Sequence, residues 1–342
     1  MSEMTGLEAY TIHKKLKCTP FTNVMDLEEL TADFIIIDEA SMIDADLFYK
    51  LLTTIKDDAS ILFVGDYNQL PSVGVGLILR DLIESNSIPV TQLIEVFRQK
   101  GESPIIELSQ EISKGNHLRK NSKYITSKKD FHFSIKNTNQ EIQDEILNTI
   151  KKAINSKIIS ADSIQVLMPL NHGDVGMVIL NQKIQSLLNP DKGQAKYELT
   201  PFMEIREGDR VMQTKNNYDV GVFNGSVGYV KKIFYNNDVE VICEFDGEEK
   251  TYVGDDAVQE LVLAYAITIH KSQGSEFQMV IMPVSKSYHS MLSRNLLYTA
   301  VTRAKKYLRI IGDIDSFNNG IDNTEVVSRN SHIKERLIKL LK

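Results

Sequence analysis

Two apolar runs that each end in acid constrain this chain most: Phe34-Ile35-Ile36-Ile37-Asp38-Glu39-Ala40-Ser41 and Ile61-Leu62-Phe63-Val64-Gly65-Asp66. Unbroken β-branched and aromatic runs of this length read as core strands of a parallel α/β sheet, buried on both faces. The acids then fall at the carboxyl ends of the strands, where open α/β sheets bind ligands. A nucleotide-binding sheet also needs a cradle for phosphates, whose usual form is G-x-x-x-x-G-K-[ST]. No such stretch occurs in the sequence. Two strands are too few for the helices around them, because an α/β domain needs several parallel strands. The expectation is that the strands completing this sheet lie upstream of Met1.

With 42% hydrophobic and 25% charged residues over 342 positions, the composition is that of a globular chain with room for two or three domains. No run approaches eighteen apolar residues, so no membrane-spanning helix is expected, and Met1 to Lys17 lack the apolar core of a signal peptide. Cys18 and Cys243 fit neither a zinc pattern nor a disulfide framework, which points to a reducing, cytoplasmic compartment. The net charge of −7 argues against a broad basic face for nucleic acid, but leaves room for a narrow channel that grips one strand. The lysine groups Lys14, Lys15 and Lys17, Lys128-Lys129 and Lys305-Lys306 read singly as solvated faces.

Along the chain, periodicity predicts a helix over Glu8–Leu16, the first strand, a helix over Ala45–Ile55, the second strand, and a helix near Ile78–Ile83. Helices over Ile105–Ser113 and Glu141–Ile154 and a strand at Gln165–Leu170 follow. From about 201 to 260 the period changes to alternation. Short antiparallel strands are expected there, with Asn224-Gly225 and Asp246-Gly247 as tight turns, making a small inserted barrel. The α/β pattern resumes with Leu261–Ile269, Met279–Val284, a helix over Leu292–Ala304 and a strand at Leu308–Ile311. The tail closes in an amphipathic helix at Ile333–Leu341.

Asp38-Glu39 alone is best explained as a strand running out into solvent. A chemical reading needs one carboxylate to hold Mg2+ through water and one to deprotonate an attacking water. The neighbouring Gly65-Asp66-Tyr67-Asn68-Gln69-Leu70-Pro71 strengthens it, since Gln69 could sense a γ-phosphate. Arg98, in Val96-Phe97-Arg98-Gln99, is by itself a surface arginine. The loop Thr268-Ile269-His270-Lys271-Ser272-Gln273-Gly274-Ser275-Glu276-Phe277 carries hydroxyls, a lysine and flexible backbone suited to phosphate and ribose. In Tyr298-Thr299-Ala300-Val301-Thr302-Arg303-Ala304, Thr299 and Arg303 share a helix face, and the planar fork of Arg303 suits a phosphoryl group in transfer.

In this order the segments resemble the RecD-like branch of superfamily 1 DNA helicases. Asp38-Glu39-Ala40-Ser41 is similar to motif II, Gly65–Pro71 to motif III, Val96–Gln99 to motif IV, His270–Phe277 to motif V and Tyr298–Ala304 to motif VI. The alternating insert, with Gly208–Met212 and Phe223–Gly228, resembles that family's SH3-like subdomain. The resemblance covers nearly the whole chain. It implies an α/β fold of RecA-like P-loop helicase motor domains, the first incomplete, with an inserted SH3-like β-barrel. Residues 1–95 would be the remnant of motor domain 1A, 96–200 with 261–315 motor domain 2A, 201–260 the barrel, and 316–342 a tail. It further implies ATP and Mg2+ as cofactors. Asp38 would bind the metal through water, Glu39 would be the catalytic base and Gln69 would contact the γ-phosphate. Arg98 and Arg303 would be arginine fingers, with Gly274 and Glu276 at the nucleotide and Glu276 on the ribose. Single-stranded DNA would be held by Thr11, His13, His270, Lys271 and Ser272, and ATP hydrolysis coupled to 5′→3′ movement. The departure is the phosphate loop, which would have to come from an upstream fragment carrying it.

Three functions stay open on sequence: a helicase chain, truncated or split; a non-enzymatic nucleic-acid-binding protein; and an adaptor built on the barrel. The last leaves the acids and Arg303 unexplained. An upstream reading frame ending in the phosphate loop and a following strand would favour the first over the second.

Overall fold

The computed structural model describes residues 6–19, 21–93, 103–120, 130–169, 176–201, 203–217, 220–288, 290–324 and 331–340. The chain forms two compact units, Met1–Val96 with Thr324–Lys342, and Phe97–Asn323.

In the first unit, β1 (Phe34–Ile37) and β2 (Ser60–Phe63) pair in parallel, Ile37 opposite Phe63. Three helices surround them: α1 (Ile12–Leu16), α2 (Ala45–Thr54) and α3 (Ile78–Glu84). The first is shorter than its periodicity suggests. The Thr11 hydroxyl accepts from Lys14 N and caps it there, leaving Glu8 to Tyr10 outside. One sheet face, Ile35, Ile37, Ile61 and Phe63, packs with Leu51, Ile78, Leu79 and Leu82. The C-terminal helix Ile333–Leu340 adds Ile333 and Leu337 to this core, and Lys334 pairs with Glu84 at 2.9 Å. The last helix of the tail thus belongs to this unit, half-burying Ile333 and Leu337 against its core.

The other sheet face corrects the reading of strands buried on both sides. Alternation puts Phe34, Ile36, Leu62 and Val64 there, and they are 57%, 46%, 46% and 43% exposed. Among the described residues, β1 and β2 pair only with each other.

The second unit begins with α4 (Pro104–Lys114), β3 (Phe131–Ile135), α5 (Asn139–Asn155), β4 (Ile164–Met168) and α6 (Met177–Leu188). A capping box starts α5, the Thr138 hydroxyl accepting from Glu141 N while the Glu141 carboxylate accepts from Thr138 N. Its Ile142, Ile146 and Ile150 are buried along one side. The hairpin β5 (Lys196–Thr200) and β6 (Met203–Arg206) leads into the insert. There β7 (Arg210–Gln213), β8 (Val227–Tyr235), β9 (Val239–Phe245), β10 (Glu248–Val253) and β11 (Leu261–Leu263) make an antiparallel sheet in the order β10-β9-β8-β7-β11. Asp246 and Gly247 both have positive φ, as the two-residue turn between β9 and β10 requires. The chain then returns to the parallel sheet through β12 (Ala266–Thr268) and β13 (Phe277–Val284). The helix α7 (Arg294–Thr302), the strand β14 (Ala304–Gly312) and the helix α8 (Ile314–Asp322) complete the unit. The parallel order is β12-β4-β13-β14-β3. Phe133 on β3 meets Phe317 on α8 edge to face at 5.6 Å, so α8 covers one face while α5 and α6 cover the other.

Leu261–Ile269 thus does not form one strand. Leu261–Leu263 pairs with β7 in the insert, and Ala266–Thr268 with β4 in the parallel sheet. The carboxylate of Asp209, fully buried, holds this crossing. It accepts from Asn189 Nδ2 at 2.7 Å, Arg206 N at 2.7 Å, the Tyr265 hydroxyl at 2.8 Å and Gln185 Nε2. Both cysteines are buried thiols, and burial pushes Cys243 up to about 12. Among the described residues no helix is long and apolar enough to cross a membrane.

Candidate active site

At the end of β1 two backbone bonds clamp the acidic turn to β2: Val64 N donates to Ile37 O at 2.8 Å, and Ala40 N to Val64 O at 2.9 Å. Between them Glu39 sits at φ 51°, ψ 40°. A left-handed non-glycine residue costs of order 1–3 kcal/mol and persists where its surroundings enforce it, often at functional positions. Asp38 is exposed and its Oδ1 accepts from Glu39 N at 2.9 Å, while Glu39 is half-buried. The close approach of the two strand ends requires glycine at position 65, where a Cβ would lie 2.8 Å from Leu79 Cδ2 and 3.0 Å from Ala40 N. Gly65→Ala is therefore expected to cost about 1–3 kcal/mol through overpacking. A urea melt reads this as a lower midpoint at unchanged slope, and an unchanged midpoint would contradict the packing described.

Beyond β2, Asp66 shapes its own turn. Its Oδ1 accepts from Asn68 N at 3.0 Å and its carbonyl from Gln69 N at 3.1 Å, which carries Gln69, half-buried, past the strand end. Asp38 and Glu39 after β1, and Gln69 after β2, thus follow the carboxyl ends of two paired parallel strands. Thr11 caps α1 and His13 lies on it, both exposed. Beside them Lys14 and Lys15 each place an ammonium 5.4 Å from the Tyr10 ring, a basic and aromatic group that the lysine run only hinted at. Arg98 lies outside the described residues.

In the second unit the loop after β12 is a 3-10 turn, Ile269–Ser272, capped by the Thr268 hydroxyl. His270 is exposed on it, though enough atoms crowd its ring that desolvation lowers its pKa, and the same cause lowers that of Lys271. Lys271 Nζ donates to Asn224 Oδ1 in the Asn224-Gly225 turn of the insert, and Asn224 N donates to Asn216 Oδ1 at 3.0 Å. The insert is thereby tied to this loop, a contact across 47 positions that no local pattern signals. Ser272 departs from expectation. It is fully buried and its hydroxyl donates to Ile269 O at 2.7 Å, so its side chain closes the turn rather than facing DNA.

Gly274 follows at φ +74° with open space around it. Glu276 pairs with Lys305 at 3.3 Å, a lysine whose sequence context predicts only a solvated face. Arg303, 3% exposed at the end of α7, grips the same loop twice: Nη1 donates to Ser275 O at 3.2 Å and its carbonyl accepts from Phe277 N at 2.9 Å. Thr299 is buried, its hydroxyl donating to Asn295 O at 2.7 Å. Among the described residues no group of three or more His, Cys, Asp or Glu could hold a metal alone. A single exposed carboxylate such as Asp38 fits Mg2+, which keeps most of its waters and takes one or two protein carboxylates alongside phosphates.

The comparisons with known proteins follow the same order along the chain. Residues 1–131 match an AAA domain model, 180–245 the SH3 domain of ATP-dependent RecD-like DNA helicases, and 263–311 a UvrD-like helicase C-terminal domain. The ATP-dependent RecD2 DNA helicase of Deinococcus radiodurans is 33% identical over 307 residues, covering 89% of this chain and 40% of that protein. The RecBCD enzyme subunit RecD of Buchnera aphidicola is 27% identical, covering 92% of this chain and 60% of that protein. The chain thus spans about half the length of the curated relatives it matches. A solved Pif1 helicase, from a study of DNA unwinding at forked duplexes, superposes with a TM-score of 0.51 at 18% identity, over 89% of this chain and 78% of that one; it supports the fold. With three domain models in helicase order and the acidic, loop and arginine motifs placed as described, the chain belongs to the RecD-like branch of superfamily 1 DNA helicases.

Proposed function

We propose that the chain forms the motor of an ATP-dependent DNA helicase that moves 5′→3′ along single-stranded DNA. The observation that carries this is the double grip of Arg303 on the Ser275–Phe277 loop, which joins the motif VI arginine to the loop bearing His270, Lys271 and Glu276. A change in nucleotide charge at Arg303 would be transmitted to that loop directly. Bound MgATP supplies the phosphoryl group to be transferred. Asp38 holds the metal through water, Glu39 takes the proton from the attacking water, and Gln69 reads the γ-phosphate. Arg98 and Arg303 offset charge in the transition state, and Gly274 and Glu276 border the nucleotide. The phosphate loop is supplied by a strand and helix that dock on the exposed side of β1 and β2, from an upstream fragment. Single-stranded DNA is contacted by Thr11, His13, His270 and Lys271. The setting we propose is cytoplasmic.

The test is binding of fluorescein-labelled oligothymidine at low salt. Affinity should fall with rising salt, and Lys271→Ala should reduce the slope by about 0.7, the counterion released by one phosphate contact. The sign of the pH effect follows from His270. Desolvation holds its imidazole below the ordinary value when free, and a phosphate would favour the charged form. Binding then takes up a proton, so affinity should rise as pH falls toward the lowered value of the free imidazole, and His270→Gln should flatten that rise. No binding at low salt would remove the DNA-translocating reading.

A further inference from the structure

A cavity of about 390 Å3 opens on the sheet face of the second unit opposite α8, between β3, β13, β14 and α5. That volume lies within the range of small-molecule sites, about 300–1,000 Å3. Its floor follows from the pleat. Phe131 and Phe133 point to the α8 side, so His132 and Ser134 face the cavity, as do Tyr307, Arg309 and Ile311 on β14. The parallel register sets Arg309 beside His132 and Tyr307 beside Met279. The roof is one row of α5, Glu145, Thr149, Lys152 and Ala153, with the C-cap Ser156, spaced to share a side of the helix next to its buried isoleucines. Met279 and Tyr307 lie toward the amino ends of their strands, away from the carboxyl end at Thr268 from which the His270 loop emerges. None of the helicase motifs contributes a lining side chain.

The chemistry of this cavity is one-sided. The Arg309 guanidinium is fixed by Nη1 donating to Asp130 O at 2.9 Å and Leu308 O at 2.8 Å, and lies 5.9 Å from the Tyr307 ring centre. Burial lowers its pKa, against the opposing pull of Asp130 and Tyr307, yet an arginine stays charged near neutrality. Lys152 adds a second cation at the rim. The one lining acid, Glu145, is paired with Lys136 at 3.5 Å. Apolar surface from Met279, Ile311 and Ala153 completes the walls. The geometry points to a binding site for a small anion with a planar apolar body, a carboxylate or phosphate ester on an aromatic ring. Its anionic end lies toward Arg309 and Lys152, where a planar fork suits either oxyanion, and its ring lies against Tyr307 and Met279.

Calorimetric titration of the full chain with 2-naphthoate, with 1-naphthyl phosphate and with the neutral 2-naphthamide tests this. Either anion should bind saturably, roughly tenfold or more tighter than the amide; which of the two binds better assigns the headgroup. Lys152→Glu, at an exposed position, should weaken the anion about tenfold and leave the amide unchanged. Ala153→Phe, which fills the cavity, should abolish binding of all three without lowering the melting temperature. Equal affinity for acid and amide, anion binding that survives Ala153→Phe in a folded variant, or no saturation by either anion at millimolar concentration would overturn the assignment.

Discussion

Arg303→Ala is expected to lower single-stranded-DNA-stimulated ATP hydrolysis by about 10^3-fold or more in an assembly of this chain that holds nucleotide, the range set by loss of an arginine finger. The structure gives the side chain a second task, since Nη1 also anchors Ser275 O. Losing the side chain removes its hydrogen bonds to Ser275 O and Thr302 Oγ1, each worth about 1 kcal/mol, and should lower the melting temperature by several degrees. The two roles are therefore separable by magnitude. Phosphate release and thermal unfolding measured on the same preparation decide between them. A loss of hydrolysis of only a few-fold would reduce Arg303 to a loop anchor and remove the motif VI assignment.

The second large effect is expected from complementation. A polypeptide with a strand, a G-x-x-x-x-G-K-[ST] loop and a helix, added to these 342 residues, should raise stability and switch on hydrolysis together. Parallel sheets are covered on both faces, whereas here Phe34, Ile36, Leu62 and Val64 are about half exposed. Covering four such side chains contributes on the order of 3–5 kcal/mol, at roughly half the value of full burial for each. Pairing a further strand also satisfies backbone groups at the sheet edge. Spread over the first unit, that gain corresponds to a rise of roughly 10 °C or more in its melting temperature. Without the added piece, no hydrolysis is expected, because Glu39 and Arg303 act only on a phosphate already held. A rise in melting temperature with no turnover would separate docking from catalysis, and turnover by the chain alone would contradict the need for the piece.

Much of this was legible in residue patterns because it is local. The apolar runs at Phe34–Ile37 and Ile61–Phe63, the hairpin turn at Asp246-Gly247 and the amphipathic α5 each carry their period or turn chemistry in a few neighbouring residues. What the patterns obscured was mostly long-range. Leu261–Ile269 is uniformly apolar, so periodicity could not show that its first half pairs in the insert and its second half in the parallel sheet. The two apolar strands looked buried on both faces because Ile and Phe occupy both, yet one face is exposed. The final helix read as a tail because its partner, α3, lies some 250 residues earlier. At the candidate site, the proposed roles of Asp38, Glu39, Gln69 and Arg303 rest on the resemblance of their motifs to the family's. The burial of Ser272, the tie between Lys271 and Asn224, and the pairing of Glu276 with Lys305 depend on tertiary contacts that spacing does not encode.

In the proposed mechanism the turn after β1, with Glu39 in its left-handed conformation, activates the water that cleaves ATP. The most direct measurement is phosphate release from the complemented chain, with and without oligothymidine, for unmutated protein and Glu39→Gln, with ATP affinity determined alongside. Glutamine keeps the shape and removes the base. The expected result is ATP and DNA affinity within a few-fold of the unmutated assembly and phosphate release lower by about 10^2- to 10^4-fold, the contribution of a positioned general base. Release by Glu39→Gln within a few-fold of the unmutated protein, with nucleotide bound equally well, would contradict it.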